Sequence, residues 1–255
     1  MLPLRFSIVT YNIWLMQRWQ MRAPALRGFL ETFDPDILCL QELQAQSRAF
    51  IDDTLHTHKR VDDPLAGWIS ESNIYWRDAL FGEIEHGAEE VGIPDGHRRL
   101  FWARLKIHEL GRSMLVATAH LTSQRNKHEC ETGQSPRVGQ IRNIIAALQR
   151  LNRAGEPLFF MGDMNDPVHP PRLLQEAGYV SCFASLGVQA PPTYHCYPTA
   201  DIQPGDRVVN QCIDWLVANR EARAVAAAVP HFYLKDAAPS DHWPVQAVYE
   251  IAAKP

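Results

Sequence analysis

The strongest constraint on this chain is a set of short apolar runs that each close on a polar or ionisable side chain. Pro157-Leu158-Phe159-Phe160-Met161 has no helical period, follows Gly155, and runs into Gly162-Asp163-Met164-Asn165. Apolar runs of this length between turn residues read as strands buried on both faces. The pattern repeats. Residues 5–14 alternate among β-forming types with Asn12 near the end, 37–40 close on Gln41-Glu42, and 113–121 close on Ala119-His120-Leu121. Residues 211–218 hold Asp214 inside an apolar run, and 243–251 follow Ser240-Asp241-His242. A carboxylate inside such a run is costly unless it has a partner.

Between these runs lie helical periods. Leu26, Phe29, Leu30 and Phe33 recur at helical spacing over 24–33, and Asp34-Pro35 stops the helix. Residues 44–58 predict a helix with a thin apolar face. The clearest helix has Ser135 as N-cap, Pro136 as first residue, a stripe of Val138, Ile141, Ile145, Leu148 and Leu151, and Gly155 as the stop. A short helix is expected over 171–177. Strands are expected over 69–77, 79–86 and 98–107, with loops over 87–96 and 124–133, a turn at Glu109-Leu110-Gly111, and a Pro-rich loop with one short strand over 191–205. The strand, helix, strand opening is that of an α/β layer. Nothing resembling a linker or repeat divides the chain, so one domain over 1–255 is expected.

A formal net charge of −4 gives no overall basic footprint, which argues against a non-specific nucleic-acid coat but leaves room for a local phosphate site. No apolar stretch is long enough to span a bilayer, and the amino terminus lacks a charged and then apolar leader. The five cysteines, an odd number without close pairing, suit a reducing compartment, so a cytoplasmic location is expected. His128-x-Cys130 lacks the second pair that a zinc site needs. No feature points to a protein partner.

Taken alone, Gly162-Asp163-Met164-Asn165 reads as a strand-end turn, and each of the other polar residues as a cap, a turn or a satisfied core group. Asn12, Glu42, His120, Asp163 with Asn165, Asp214, and Asp241 with His242 recurring in one chain are better explained by one shared site. Layered α/β folds gather ligand sites at strand ends. Glu42 and Asp241 are hard oxygen donors, which favour magnesium or manganese over zinc. His120 and His242 can donate to phosphoryl oxygens near neutral pH, and Asp214 can orient His242. Asp163 and Asn165, two apart on one side of an extended segment, can hold a water against a phosphoryl group. That is equipment for in-line hydrolysis of a phosphoester.

Thr10-Tyr11-Asn12-Ile13-Trp14, Leu40-Gln41-Glu42, Ala119-His120-Leu121, Gly162-Asp163-Met164-Asn165, Ile213-Asp214-Trp215 and Ser240-Asp241-His242-Trp243-Pro244-Val245 occur in that order. Together they resemble the endonuclease/exonuclease/phosphatase superfamily over nearly the whole chain. The resemblance implies a four-layer α/β/β/α sandwich of two mixed sheets with outer helices. It implies Glu42 as principal metal ligand with Asn12 and Asp241 nearby, Asp163 activating the water, and Asn165 and Asn12 at the phosphate. It further implies His242 supported by Asp214, His120 at the phosphate or leaving group, Glu71 as a carboxylate paired to a histidine, and Arg98 near the substrate. The implied activity is Mg2+-dependent phosphodiester hydrolysis, with Mn2+ as an alternative to Mg2+ and a nucleic acid or nucleotide as substrate. Lipid, inositol and small-molecule phosphoesterases share the implied core and remain the alternative. The loops that would choose the substrate, 124–133 (Arg125, Lys127, His128) and 191–207 (Tyr194, His195, Tyr197), match no branch well.

Overall fold

The computed structural model describes residues 2–196, 199 and 211–253. In chain order the elements are β1 (Leu4–Asn12), α1 (Trp19–Phe33), β2 (Ile37–Gln41), α2 (Ala45–Thr54), β3 (His58–Arg60), α3 (Ala66–Ser70), β4 (Ser72–Arg77), β5 (Phe81–Glu89), β6 (Leu100–Ile107) and β7 (Arg112–Thr118). There follow α4 (Lys127–Thr132), α5 (Arg137–Leu151), β8 (Leu158–Asp163), α6 (His169–Glu176), β9 (Val180–Ser181), α7 (Cys182–Ser185), β10 (Asp214–Ala218), β11 (Arg223–Ala228) and β12 (Val245–Ile251). The strands form two mixed six-stranded sheets, ordered β11-β12-β1-β2-β4-β3 and β5-β6-β7-β8-β10-β9.

Alternation along each strand sorts side chains between two cores. Phe6 and Ile8 of β1, Ile37 and Cys39 of β2, Met114 and Val116 of β7, and Phe159 and Met161 of β8 meet in one cluster between the sheets. The intervening residues face outward. Val9, Tyr11, Leu38 and Leu40 pack with Leu26, Phe29 and Leu30 of α1 and Ile51 of α2. Leu115, Ala117, Leu158 and Phe160 pack with Ile141, Ile144 and Leu148 of α5 and Leu174 of α6. Helices thus cover the outer face of each sheet, which is the expected α/β sandwich.

Register then brings the polar strand ends to one edge. β1 and β2 are parallel with Asn12 opposite Gln41, and β12 runs antiparallel with Val245 opposite Thr10, so the residues preceding β12 arrive beside Asn12. In the other sheet β7 and β8 are parallel with Thr118 opposite Met161, and β10 runs antiparallel with Asp214 opposite Asp163. The inward faces therefore read Phe6-Ile8-Thr10-Asn12 and Phe159-Met161-Asp163: an apolar core that turns polar at one end. Gln41 links the sheets there, its Nε2 donating to Thr118 Oγ1 at 2.9 Å and Thr10 Oγ1 at 3.1 Å.

Several boundaries differ from those predicted. α1 starts at Trp19 and carries Pro24 inside, because buried Arg22 ties its first turn to the backbone of residues 13–17. The helix expected over 44–58 ends at Thr54, and 58–60 form the edge strand β3. Ile69 and Ser70 close α3 rather than opening β4. The acidic stretch after Gly87 stays in β5 as far as Glu89, where charge suits an edge strand. α4 occupies the expected loop 124–133, capped by Asn126 and ended by left-handed Gly133. Ser135 does not cap α5. Pro136 holds that position, and the buried stripe is rotated to Ile141, Ile144, Ala147 and Leu148. Asp214 begins β10 rather than sitting within it, and the alanine-rich β11 carried no strand signal. Tyr197, and the part of the 191–207 loop from 200 onward, lie outside the described residues. Among the described residues no helix is long and apolar enough to cross a membrane.

Gly162, at φ 146°, marks where β8 presses on the chain leaving β7, since a Cβ there would lie 1.9 Å from the Ala119 carbonyl oxygen. Gly162→Ala is expected to lower stability by roughly 3 kcal/mol. Gly139→Ala, on the exposed side of α5 with no atom within 4 Å of the added Cβ, is expected to raise it by about 0.5–1 kcal/mol. Urea unfolding of both variants checks the two signs, and equal effects would remove the close-approach argument.

Candidate active site

Asp163 closes β8 and is 2% exposed. Its Oδ2 accepts from Asn12 Nδ2 at 3.0 Å and its Oδ1 from the Asn165 backbone N–H at 2.9 Å. His120 Nε2 lies 3.3 Å and His242 Nε2 3.7 Å from Oδ2. Burial alone would raise this carboxyl. The two imidazole charges and the two hydrogen bonds outweigh burial and hold it below its usual range.

Each imidazole has a second carboxylate behind it. His120 Nδ1 meets Glu71 Oε1 at 3.0 Å, and His242 Nδ1 meets Asp214 Oδ2 at 2.9 Å. A carboxylate at Nδ1 places a proton on that nitrogen and aims Nε2 into the site. Burial works against the charged ring in both cases. Asp163 and Glu71 nonetheless carry His120 above its usual pKa against the opposing charge of Arg98, and Asp214 with Asp163 carries His242 well above. Burial raises Asp214 despite the neighbouring His242, and its Oδ1 has no hydrogen-bond partner. Thr193 Oγ1, which sequence reasoning missed, accepts the N–H groups of Ile213 and Asp214 at 3.0 and 3.1 Å.

Glu42 follows β2 in a left-handed conformation, φ 57°, and its Oε1 accepts from Asn12 Nδ2 at 3.3 Å. Asp241 is 6% exposed, with Ser240 Oγ 3.3 Å from its Oδ1. Burial pushes its carboxyl up to about 6, with the Glu42 charge adding to the shift and His242 opposing it. Glu42 and Asp241 offer only oxygen, a donor set that suits a hard divalent cation. Asp163, Asp214 and His242 also bring ligand atoms within 4.8 Å of one another. Asp214 and Asp163 hold the His242 ring protonated, however, so the Glu42 and Asp241 side fits a cation better. Asn12 is committed at both ends, its Oδ1 accepting the Trp14 N–H at 3.0 Å, and it bridges Glu42 and Asp163.

A cavity of about 390 Å3 opens here, lined by Glu42, Arg98, His120, Asp163, Asn165, Asp241 and His242, with Asn12, Glu71 and Asp214 behind that lining. All the sequence-predicted site residues are therefore brought together. One detail differs: Asn165 lies past the strand end at φ 50°, and its Nδ2 donates to Leu121 O at 3.1 Å instead of continuing the extended segment. Arg98 donates to the same carbonyl at 3.3 Å and pairs with Glu71 at 3.4 Å. Tyr194 packs edge-on to His242 at 4.8 Å. Beneath the site, burial lowers the Arg22 guanidinium to about 10, still cationic at neutral pH. No local sequence signal marks Arg22, because its partners are backbone carbonyls.

The Endonuclease/Exonuclease/phosphatase family model matches residues 9–242. No curated protein matches the chain by sequence. An endonuclease/exonuclease/phosphatase family protein from Bacteroides thetaiotaomicron is similar in structure, with TM-score 0.79 and 16% identity, covering 99% of this chain and 100% of that one. D. rerio TDP2 in complex with single strand DNA product has TM-score 0.77 and 17% identity, covering 96% and 98%. A B. thetaiotaomicron mannosyl-6-phosphatase has TM-score 0.77 and 16% identity, covering 97% and 100%. At these identities the likenesses speak for the fold, whereas the family match spans most of the sequence and includes the site residues from Asn12 to His242. The chain belongs to the endonuclease/exonuclease/phosphatase family and is a phosphoester hydrolase.

Proposed function

We propose that this protein hydrolyses phosphodiester bonds in a nucleic acid or nucleotide with the help of a divalent cation, Mg2+ or in its place Mn2+, residues 1–255 forming one catalytic domain. The observation that carries this reading is Asp163, a buried carboxylate held ionised between two imidazoles in a cavity that Arg98 and Arg125 also line. The single-strand DNA product bound by the structurally similar TDP2 supports the choice of substrate. The five cysteines are free and three are buried, in keeping with a cytoplasmic setting.

Glu42 and Asp241 would hold the cation, which supplies neutralisation of phosphoryl charge and of the leaving oxygen. Asp163 accepts a hydrogen bond from the attacking water and fixes its direction. Its lowered pKa makes it a proton acceptor only as the new P–O bond acidifies that water. His242 Nε2, at 3.7 Å from Asp163, lies beyond hydrogen-bond reach, so its proton is free for a non-bridging phosphoryl oxygen. Asp214 fixes that ring at Nδ1. His120, oriented by Glu71, donates to the phosphate or the leaving oxygen. Asn12 keeps Asp163 and Glu42 in register, while Asn165 and Arg98 flank the phosphate.

Asp163→Asn is expected to lower kcat by about 10³-fold or more, while Glu42→Ala and His242→Ala abolish metal-dependent turnover, all with the fold intact. The assay is hydrolysis of single-stranded DNA, RNA, a bis-aryl phosphate and its monoester, sphingomyelin, and sugar and inositol phosphates under Mg2+, Mn2+ and EDTA. Full activity in any of these variants would sink the assignment, and turnover of monoesters or lipid alone would move the substrate.

Asp241 supplies a pH test in metal-free protein. Its folded pKa of about 6 lies above the ordinary 3.8, so the stability linked to it is present below about pH 4 and is lost as pH rises through about 6. Asp241→Asn is therefore expected to stabilise the metal-free protein by roughly 2 kcal/mol at pH 7.5 and hardly at all near pH 4. Thermal melts in EDTA at the two pH values read the difference. An equal gain at both would contradict a carboxyl raised by burial.

A further inference from the structure

We propose that Trp14 is a specificity-determining residue on which a planar base of the substrate stacks beside the reacting phosphate, and that buried Arg22 is the positioning residue that holds it there. The inference rests on the nucleic-acid reading above and concerns the turn between β1 and α1.

That turn has an uncommon backbone. Trp14 and Leu15 are consecutive non-glycine residues in the left-handed region, φ 58° and 47°, and Arg18 joins them at 48°. Bulky side chains rarely adopt this conformation, and it persists only where the surroundings over-determine it. The surroundings here are Arg22, 0% exposed. Its guanidinium donates to the carbonyls of Ile13 at 3.0 Å, Trp14 at 3.1 Å, Leu15 at 3.3 Å and Gln17 at 2.6 Å, and to Pro239 O from the segment that leads to Asp241. The Trp14 N–H is held by Asn12 Oδ1, and the Leu15 N–H donates to Glu42 O at 3.1 Å. Two residues of the metal-side cluster thus fix the same turn.

The product of that effort is the position of one indole. Trp14 belongs to none of the hydrophobic clusters among the described residues, is half-buried, and lines the cavity that holds Asp163 and His242. Arg22 Cζ sits 5.1 Å from the centre of its ring and supports it from within the protein. An indole that lines a phosphate cavity without joining the apolar core has little to offer a phosphate. It suits a flat aromatic group attached to that phosphate, and every base has such a face. Stacking tolerates any sequence, so this platform selects for the presence of a base rather than for its identity.

The test compares a short single-stranded oligodeoxynucleotide with the same strand carrying abasic tetrahydrofuran nucleotides on both sides of the cleaved bond, under Mg2+. The readout is the ratio of kcat/KM for the two strands. Wild type is expected to favour the base-bearing strand, with Trp14→Ala reducing that ratio about tenfold and Trp14→Phe by less than about threefold. Arg22→Lys, which keeps the charge and loses the planar fork, is expected to reduce it as Trp14→Ala does. An unchanged ratio in Trp14→Ala, or no base preference in wild type, overturns the proposal and leaves the nuclease reading standing. Loss of overall kcat/KM in Arg22→Lys with the ratio intact overturns the positioning role of Arg22. Failure of wild type to cut either strand while it hydrolyses another phosphoester overturns the nucleic-acid reading and this one with it.

Discussion

The site depends on keeping the Asp163 carboxylate charged where almost no water reaches it. An unpaired buried carboxylate would take up a proton and lose its charge. Here Asn12 comes from the end of β1, His120 from the chain after β7, Asn165 from the turn after β8, and His242 from the chain before β12. Both sheets must be in register before Asp163 has its partners. Forming the sandwich therefore supplies the partners that keep Asp163 ionised once it is buried.

The same register explains why the site sits at an edge of the inter-sheet core. Strand alternation keeps Phe6, Ile8, Thr10 and Asn12 on one face, and Phe159, Met161 and Asp163 on the facing one. Moving toward the site, each inward face passes from dry packing, through the Gln41–Thr118 hydrogen bond between sheets, to carboxylates and imidazoles. A one-residue slip of β8 would turn Asp163 into the outer core and Gly162 inward. The close approach of Gly162 to Ala119 guards against that slip, because only glycine fits.

Much of this was legible in the chain. The run Leu158–Asp163 announced a buried strand with a carboxylate at its end, and the carboxylate of Asp214 beside an apolar run required a partner, which is His242. Elements that depend on packing were not legible. The alanines of β11 have weak strand preference and fold as an edge because β12 offers a ladder. Ser135 looks like a cap, yet Pro136 takes that place and α5 turns its Ile144 face inward. Pro24 suggested a helix start, whereas the bonds of Arg22 to residues 13–17 carry α1 back to Trp19.

By itself the sequence determined which residue types would meet at the strand ends, because period-two alternation and apolar runs are local properties that survive without a structure. The ordered motifs it carries place the chain in its family and name the acids and imidazoles available for chemistry. Only the tertiary structure decided the pairings: Glu71 with His120, Asn12 spanning Glu42 and Asp163, and Arg22 closing five carbonyls under Trp14. These contacts join residues up to 217 positions apart, and a carbonyl oxygen has no residue-type signature. Their geometry exists only once two sheets have packed face to face.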